Sequence, residues 1–104
     1  MITVDIHQRN EALVGFTVSG HARNVPWGKD IVCAAVSSAA YMTANTVTDI
    51  LHAPAAVEAD DGYMQIVLTE DIPACQSVLQ GFLLHMQQMQ TQYPKKVHLT
   101  ITEV

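Results

Sequence analysis

From Asp30 to about Leu51 the chain runs without a glycine or a proline, and this stretch limits the fold more than any other feature. It is rich in alanine, and Ile31, Val32, Val36, Met42, Val47, Ile50 and Leu51 spread apolar positions over more than one face. That pattern predicts a helix buried at close range against a sheet or a second subunit. Pro54 and the residues before it stop the helix.

The flanking segments have a different period. Ile2, Val4 and Ile6 alternate with polar residues, and after the turn-like Gln8-Arg9-Asn10-Glu11 the alternation resumes through Val14, Phe16 and Val18. This predicts a β-hairpin. Ala55 to Ala59 and Tyr63 to Thr69 form a second hairpin about the Asp60-Asp61-Gly62 turn. Glu70, Asp71 and Pro73 are a favourable start for a helix running to about Gln92. Cys75, Leu79, Phe82, Met86, Met89 and Tyr93 recur along it at steps of four and three, which makes one apolar stripe opposite a glutamine-rich face. Pro94 ends that helix, and Val97, Leu99 and Ile101 alternate as a last strand. The order ββαββαβ predicts an α+β fold with two main helices on a mostly antiparallel sheet. At 104 residues, 49% hydrophobic and 14% charged, the chain has material for one core and therefore for a single domain over 1–104.

Charge narrows the partners. The net charge is −5, with most of the acidic excess in the second half. Nucleic acid is a poor ligand for such a surface, because phosphate binding needs clustered Lys and Arg. The N-terminal residues lack the basic flank and long apolar run of a signal peptide, and no stretch reads as a membrane span. The expectation is a cytoplasmic protein. Cys33 and Cys75 have no CxxC spacing and are expected to be free thiols in a reducing compartment.

The chemistry concentrates around the long helix. Gly20-His21-Ala22 closes the second strand, and Gly28-Lys29-Asp30 leads into Ile31-Val32-Cys33-Ala34-Ala35-Val36-Ser37. The intervening segment contains Asn24, Pro26 and Gly28, which break any regular pattern, so it reads as a mobile loop long enough to fold His21 onto Cys33. A cysteine in the first turn of a helix faces the positive end of the helix dipole, and that setting beside an imidazolium favours a thiolate at neutral pH. A thiolate, a base with pKa near neutrality and unpaired helix-start N–H groups are the parts of nucleophilic acyl transfer. The plainer alternative makes Cys33 a small packed hydrophobe and His21 an ordinary surface residue. Asp30 has two competing roles: an N-cap, with the Val32 amide as its partner, or a third group orienting His21. Ser37 lies one turn beyond Cys33, within reach of the thiolate or the substrate, although a small helix residue would look the same.

Cys75 lies on the apolar stripe of the second helix and reads as packing. His52 and His85 are isolated, so no metal site is expected with His21 and Cys33, and no cofactor is implied. Val25, Pro26 and Trp27 sit beside the cysteine where they could close over an apolar peptide side chain.

At these residues the sequence resembles the ribosomal-processing cysteine protease family, Prp. Its pattern is Gly-His-Ala, a short variable loop, then Gly-x-Asp-Ile-Val-Cys-Ala-Ala-Val-Ser, matched by Gly20, His21, Ala22, Gly28 and Asp30 through Ser37. The resemblance implies a cytoplasmic, homodimeric endopeptidase that removes a short N-terminal extension from a large-subunit ribosomal protein, cutting after an apolar, aromatic-containing stretch. It implies Cys33 as nucleophile and His21 as general acid/base, with Gly20, Asp30 and Ser37 accessory. The loop between His21 and Gly28, including Val25, Pro26 and Trp27, would be a flap over the cleft. Two other classes remain open at this point: a non-enzymatic ribosome-assembly or peptide-binding module, and a thiol redox or metal-binding protein.

Overall fold

The computed structural model describes residues 1–20 and 31–104. Strands β1 (Ile2–Arg9) and β2 (Ala12–Ser19) precede helix α1 (Ile31–Asn45), and β3 (Ala55–Asp60) and β4 (Tyr63–Leu68) precede helix α2 (Gln76–Gln92). Strand β5 (Val97–Glu103) follows. The sheet order is β3-β4-β2-β1-β5, so the α+β reading holds. Three pairings are antiparallel, and β5 runs parallel to β1, with Ile2 beside Val97 and Ile6 beside Ile101.

Both helices pack on one face of the sheet. The alternation read from sequence sends Ile2, Val4, Ile6, Phe16, Val18, Met64, Ile66 and Leu68 into the core, against Val32, Val36, Ala40 and Val47 from the first helical segment. Leu79, Phe82, Met86 and Met89 complete it from α2. The Phe16 and Phe82 rings stack with centroids 4.2 Å apart. Among the described residues the opposite face of the sheet carries no helix and is largely polar. There Thr100 and Thr102 each donate a hydroxyl hydrogen bond to Asp5 Oδ1 at 2.7 Å, and Thr17 Oγ1 lies 3.1 Å from His7 Nε2.

Turn chemistry explains the first hairpin. Asn10 and Glu11 both have positive φ, 50° and 71°, which is the mirror-image turn whose twist matches two flanking strands. The register slips between His7 and Gln8, where Val14 becomes an extra residue on β2. Gly15 follows it, and a Cβ there would lie 2.1 Å from the Ile66 carbonyl oxygen, so only glycine lets β4 approach. Across the hairpin end, the Gln76 side chain acts as a substitute strand. Its Oε1 accepts the Leu13 N–H at 2.9 Å, and its Nε2 donates to Leu13 O at 2.8 Å and to Ile72 O at 3.0 Å.

Two details correct the sequence reading of the first helix. Its α-helical part ends at Asn45, and Thr46–Ile50 form a π-helical turn closed by Leu51 N–H on Thr46 O at 2.8 Å. Thr46 and Thr48 hydroxyls bond back to the carbonyls of Met42 and Ala44, the competition for carbonyls that disturbs helices at Ser and Thr. In addition, apolar residues on more than one face do not mean burial on more than one face. One stripe meets the sheet, while Ile31, Met42 and Ile50 are exposed. The span Ile31–Ile50 is also long and apolar enough by composition to cross a membrane, against the expectation that no stretch would be. Its alanine and β-branched content accounts for that, and its buried stripe packs on the sheet as a core helix does.

Candidate active site

Cys33 is the third residue of α1 and is half-buried. Val32 and Val36, both in the core, bolt the first turn of the helix to the sheet. This fixes the direction in which the neighbouring side chains leave the helix. Residues 33, 37 and 41 follow one another at four-residue steps, so Cys33, Ser37 and Tyr41 share a flank beside the buried stripe. The first N–H groups of a helix have no carbonyl partner within the helix, and the dipole is positive there. The sulfur therefore sits beside N–H groups that favour the negative charge of a developing oxyanion.

Gly20 closes β2 at the same end of the sheet. Its φ is +86°, and a Cβ would lie 2.3 Å from the Met1 carbonyl oxygen. Met1 is tied to a fixed neighbour, since Ile2 is buried and its N–H donates to Lys96 O at 2.8 Å. Glycine is thus required by space and by conformation. His21, Asp30 and Val25, Pro26, Trp27 and Gly28, expected above to form a flap, lie outside the described residues.

A cavity of about 320 Å³ opens one turn beyond the cysteine, between α1 and the β3–β4 turn. Ser37, Ala40 and Tyr41 form one wall, and Ala59, Asp61 and Met64 belong to the other. Sequence reasoning reached Ser37 but missed Tyr41 and the hairpin turn. The four-residue spacing from Ser37 was the available signal for Tyr41, whereas nothing local announces that the β3–β4 turn faces the helix. Glu58, Asp60 and Asp61 are exposed on the β3–β4 hairpin and make it acidic, and Glu70 and Asp71 are exposed beyond the other end of β4.

The second cysteine differs in every respect. Cys75 is completely buried, and burial, then the charge of Asp71, pushes its thiol above the ordinary range. It is a packing residue, as its place on the apolar stripe predicted. Neither thiol is part of a disulfide. Among the described residues no three His, Cys, Asp or Glu side chains converge on a common point for a metal ion, and His52 and His85 are exposed and separate.

Comparison with known proteins places this geometry in a family. The family model for cysteine protease Prp matches residues 1–98. The ribosomal processing cysteine protease Prp of Staphylococcus aureus is 30% identical over 104 residues, covering 95% of this chain and 97% of its own. The crystal structure of an essential ribosomal processing protease Prp from S. aureus in complex with a substrate peptide superposes with a TM-score of 0.86 at 26% identity, over 98% of this chain and all of that one. The Streptococcus mutans protein SMU.848 matches with a TM-score of 0.85 at 27% identity, over 100% of this chain and 96% of its own.

Proposed function

The chain belongs to the Prp family of cysteine proteases, and from that premise we propose that it is the endopeptidase that trims a short N-terminal extension from a large-subunit ribosomal protein in the cytoplasm. Cys33 is the nucleophile and His21 the general acid/base, with Gly20, Asp30 and Ser37 supporting them. Val25, Pro26, Trp27 and Gly28 belong to the flap, and two copies of the chain work as a homodimer. The observation that carries the reading is the position of Cys33 in the first turn of α1, on a helix whose start is anchored by Val32 and Val36.

The steps follow from that position. The Cys33 thiolate attacks the scissile carbonyl carbon, forming a C–S bond and moving the carbonyl electrons onto oxygen. Amide N–H groups at the start of α1 receive the oxyanion, a contact of the kind whose loss costs about 2.7–4 kcal/mol in comparable sites. The tetrahedral intermediate collapses as the C–N bond breaks, and the His21 imidazolium protonates the leaving amine. His21 then takes a proton from water, whose oxygen attacks the thioester and frees the acid and the thiolate. The acidic surface of Glu58, Asp60, Asp61, Glu70 and Asp71 speeds encounter with a basic ribosomal protein.

Cleavage of a peptide spanning the extension and the mature start tests this. Cys33→Ala and Cys33→Ser should abolish cleavage, His21→Ala should slow it severely, and Cys75→Ser should leave it nearly unchanged. Full activity of Cys33→Ala would end the covalent mechanism. Binding of the peptide without any product by the unmodified chain would favour a peptide-binding module instead.

A further inference from the structure

We infer that the peptide substrate binds as an added strand along the open edge of β3, with alternate side chains entering the cavity beside Cys33; this rests on the protease reading above and adds how the substrate is held. The backbone pairing leaves that edge open. Thr69 N–H donates to Pro54 O at 3.0 Å, which makes those two a hydrogen-bonded pair, and the register runs on from Ala55 beside Leu68 to Asp60 beside Tyr63. In an antiparallel ladder such residues alternate with ones whose N–H and C=O point away from the partner strand. Residues 56, 58 and 60 therefore face β4, and Ala55, Val57 and Ala59 turn their N–H and C=O groups outward. Among the described residues no strand lies beyond β3.

Edge strands are ordinarily blocked by lysine, proline, bulges or covering side chains. The opposite edge of this sheet is covered in that way, since the Gln90 side chain accepts the Leu99 N–H of β5 at 2.6 Å. Strand β3 contains no lysine and no proline, and its residues after Ala55 are exposed, Val57 by 44%.

Position ties this edge to the reaction. Val57 pairs with Ile66 and Ala59 with Met64, both of which are buried under the helices, so the side chains of Val57 and Ala59 lie on the helix side of the sheet. Directly paired residues share a face. A substrate residue opposite Ala59 thus points into the cavity that has Ala59 and Met64 on one wall and Ser37, Ala40 and Tyr41 on the other. Ser37 is one helical turn from Cys33, about 5.4 Å, and an extended chain advances about 3.3 Å per residue, which places the residue in the cavity about two positions from the scissile bond.

The next substrate residue points to the other face. A hollow of about 430 Å³ lies at this end of β3, lined by Glu58, Asp60 and Tyr63 among others. Two hollows beside the last residues of one edge suit the alternating side chains of an added strand, whose affinity comes from main-chain hydrogen bonds and whose specificity comes from such pockets. Ala40, Ala59 and Met64 give the cavity an apolar lining, which takes an apolar side chain. Glu58 across from the substrate favours a cationic or hydrogen-bonding one. The substrate class is an extended segment in which apolar and polar residues alternate.

The test is binding of the peptide spanning the extension and the mature start to the Cys33→Ala chain, measured by fluorescence anisotropy. Single backbone amides of the peptide are replaced in turn by esters, each of which removes one N–H. Strand addition aims every second N–H at β3 in either strand direction, so Kd should rise about three- to tenfold at alternate positions and by less than about twofold between them. Ala59→Pro removes only the outward N–H of that residue. It should keep the fold by circular dichroism, weaken binding by a similar factor and, with Cys33 in place, raise KM while kcat stays unchanged. Esters that act uniformly or not at all, or an unchanged Kd in folded Ala59→Pro, would overturn the strand pairing and leave the Cys33 chemistry standing. Alternation in Kd without cleavage by the unmodified chain would support the pairing and end the protease reading. A peptide that is neither bound nor cut would overturn both.

Discussion

Gly20→Ala is a small change with a calculable effect on the site. The residue is held at φ +86° with the Met1 carbonyl oxygen 2.3 Å from where a Cβ would be. Left-handed backbone costs an L-residue about 1–2 kcal/mol. Cβ contacts under 3.0 Å are essentially never tolerated, so something must also move by at least about 0.7 Å, the difference between that limit and the observed 2.3 Å. Met1 has little freedom to give way, because Ile2 is buried and hydrogen-bonded to Lys96 O. The displacement therefore falls on the end of β2, and residue 20 is the last before His21. A misplacement of about 1 Å in a catalytic group costs on the order of a hundredfold in rate. The expected result is a loss of about 1–2 kcal/mol or more in urea unfolding, together with a kcat/KM for the extension peptide lower by about two orders of magnitude. Cleavage within threefold of the unmodified chain would show that the strand end does not position the catalytic base.

Two further perturbations probe the scaffold. Gln76→Ala removes both hydrogen bonds to Leu13 and leaves a buried N–H and C=O without partners, at roughly 1–3 kcal/mol for each orphaned group; a loss below about 1 kcal/mol in equilibrium unfolding would mean that water replaces the glutamine freely. The raised thiol of Cys75 makes a prediction about alkaline stability. Its folded-state pKa lies above the unfolded one, so its contribution is complete below the ordinary thiol range. It is lost as pH rises above about 8.5, where the unfolded chain ionises the thiol and the folded chain does not. Cys75→Ala should flatten the fall of stability between about pH 8.5 and 10, and an unchanged slope would remove the linkage.

The parts of the fold that were legible in the sequence are those governed by short-range periodicity. Ile2, Val4 and Ile6 alternate because one face of β1 meets the helices, and Leu79, Phe82, Met86 and Met89 recur because one stripe of α2 meets the sheet. The Asp61-Gly62 turn was equally visible, with Gly62 at φ 77°. Long-range choices were not visible. That β5 lies parallel to β1 follows from the crossover through α2, and the alternation of Val97, Leu99 and Ile101 is the same for either direction. The substitution of Gln76 for a strand partner joins positions far apart in the chain. The π turn depends on threonine hydroxyls competing for carbonyls, which a count of apolar residues overlooks.

The site was legible to the same degree. Cys33 and Ser37 fall on one flank of α1 because helical spacing dictates it, and Cys75 is buried because its stripe is. Tyr41 and the β3–β4 turn needed the tertiary fold, since only the packing of α1 beside that hairpin makes them walls of one cavity.

The central claim is a covalent bond to one particular sulfur, and the most direct measurement is the mass of the enzyme caught during turnover. The chain is mixed with the extended ribosomal protein, quenched in acid within the first turnover, and weighed intact and after digestion. The account predicts a transient adduct of the mass of the extension as a thioester on the peptide containing Cys33, none on Cys75, and a mature ribosomal protein starting at the new N-terminus. Processing at full rate with no adduct on Cys33, and the same processing by Cys33→Ala, would contradict it.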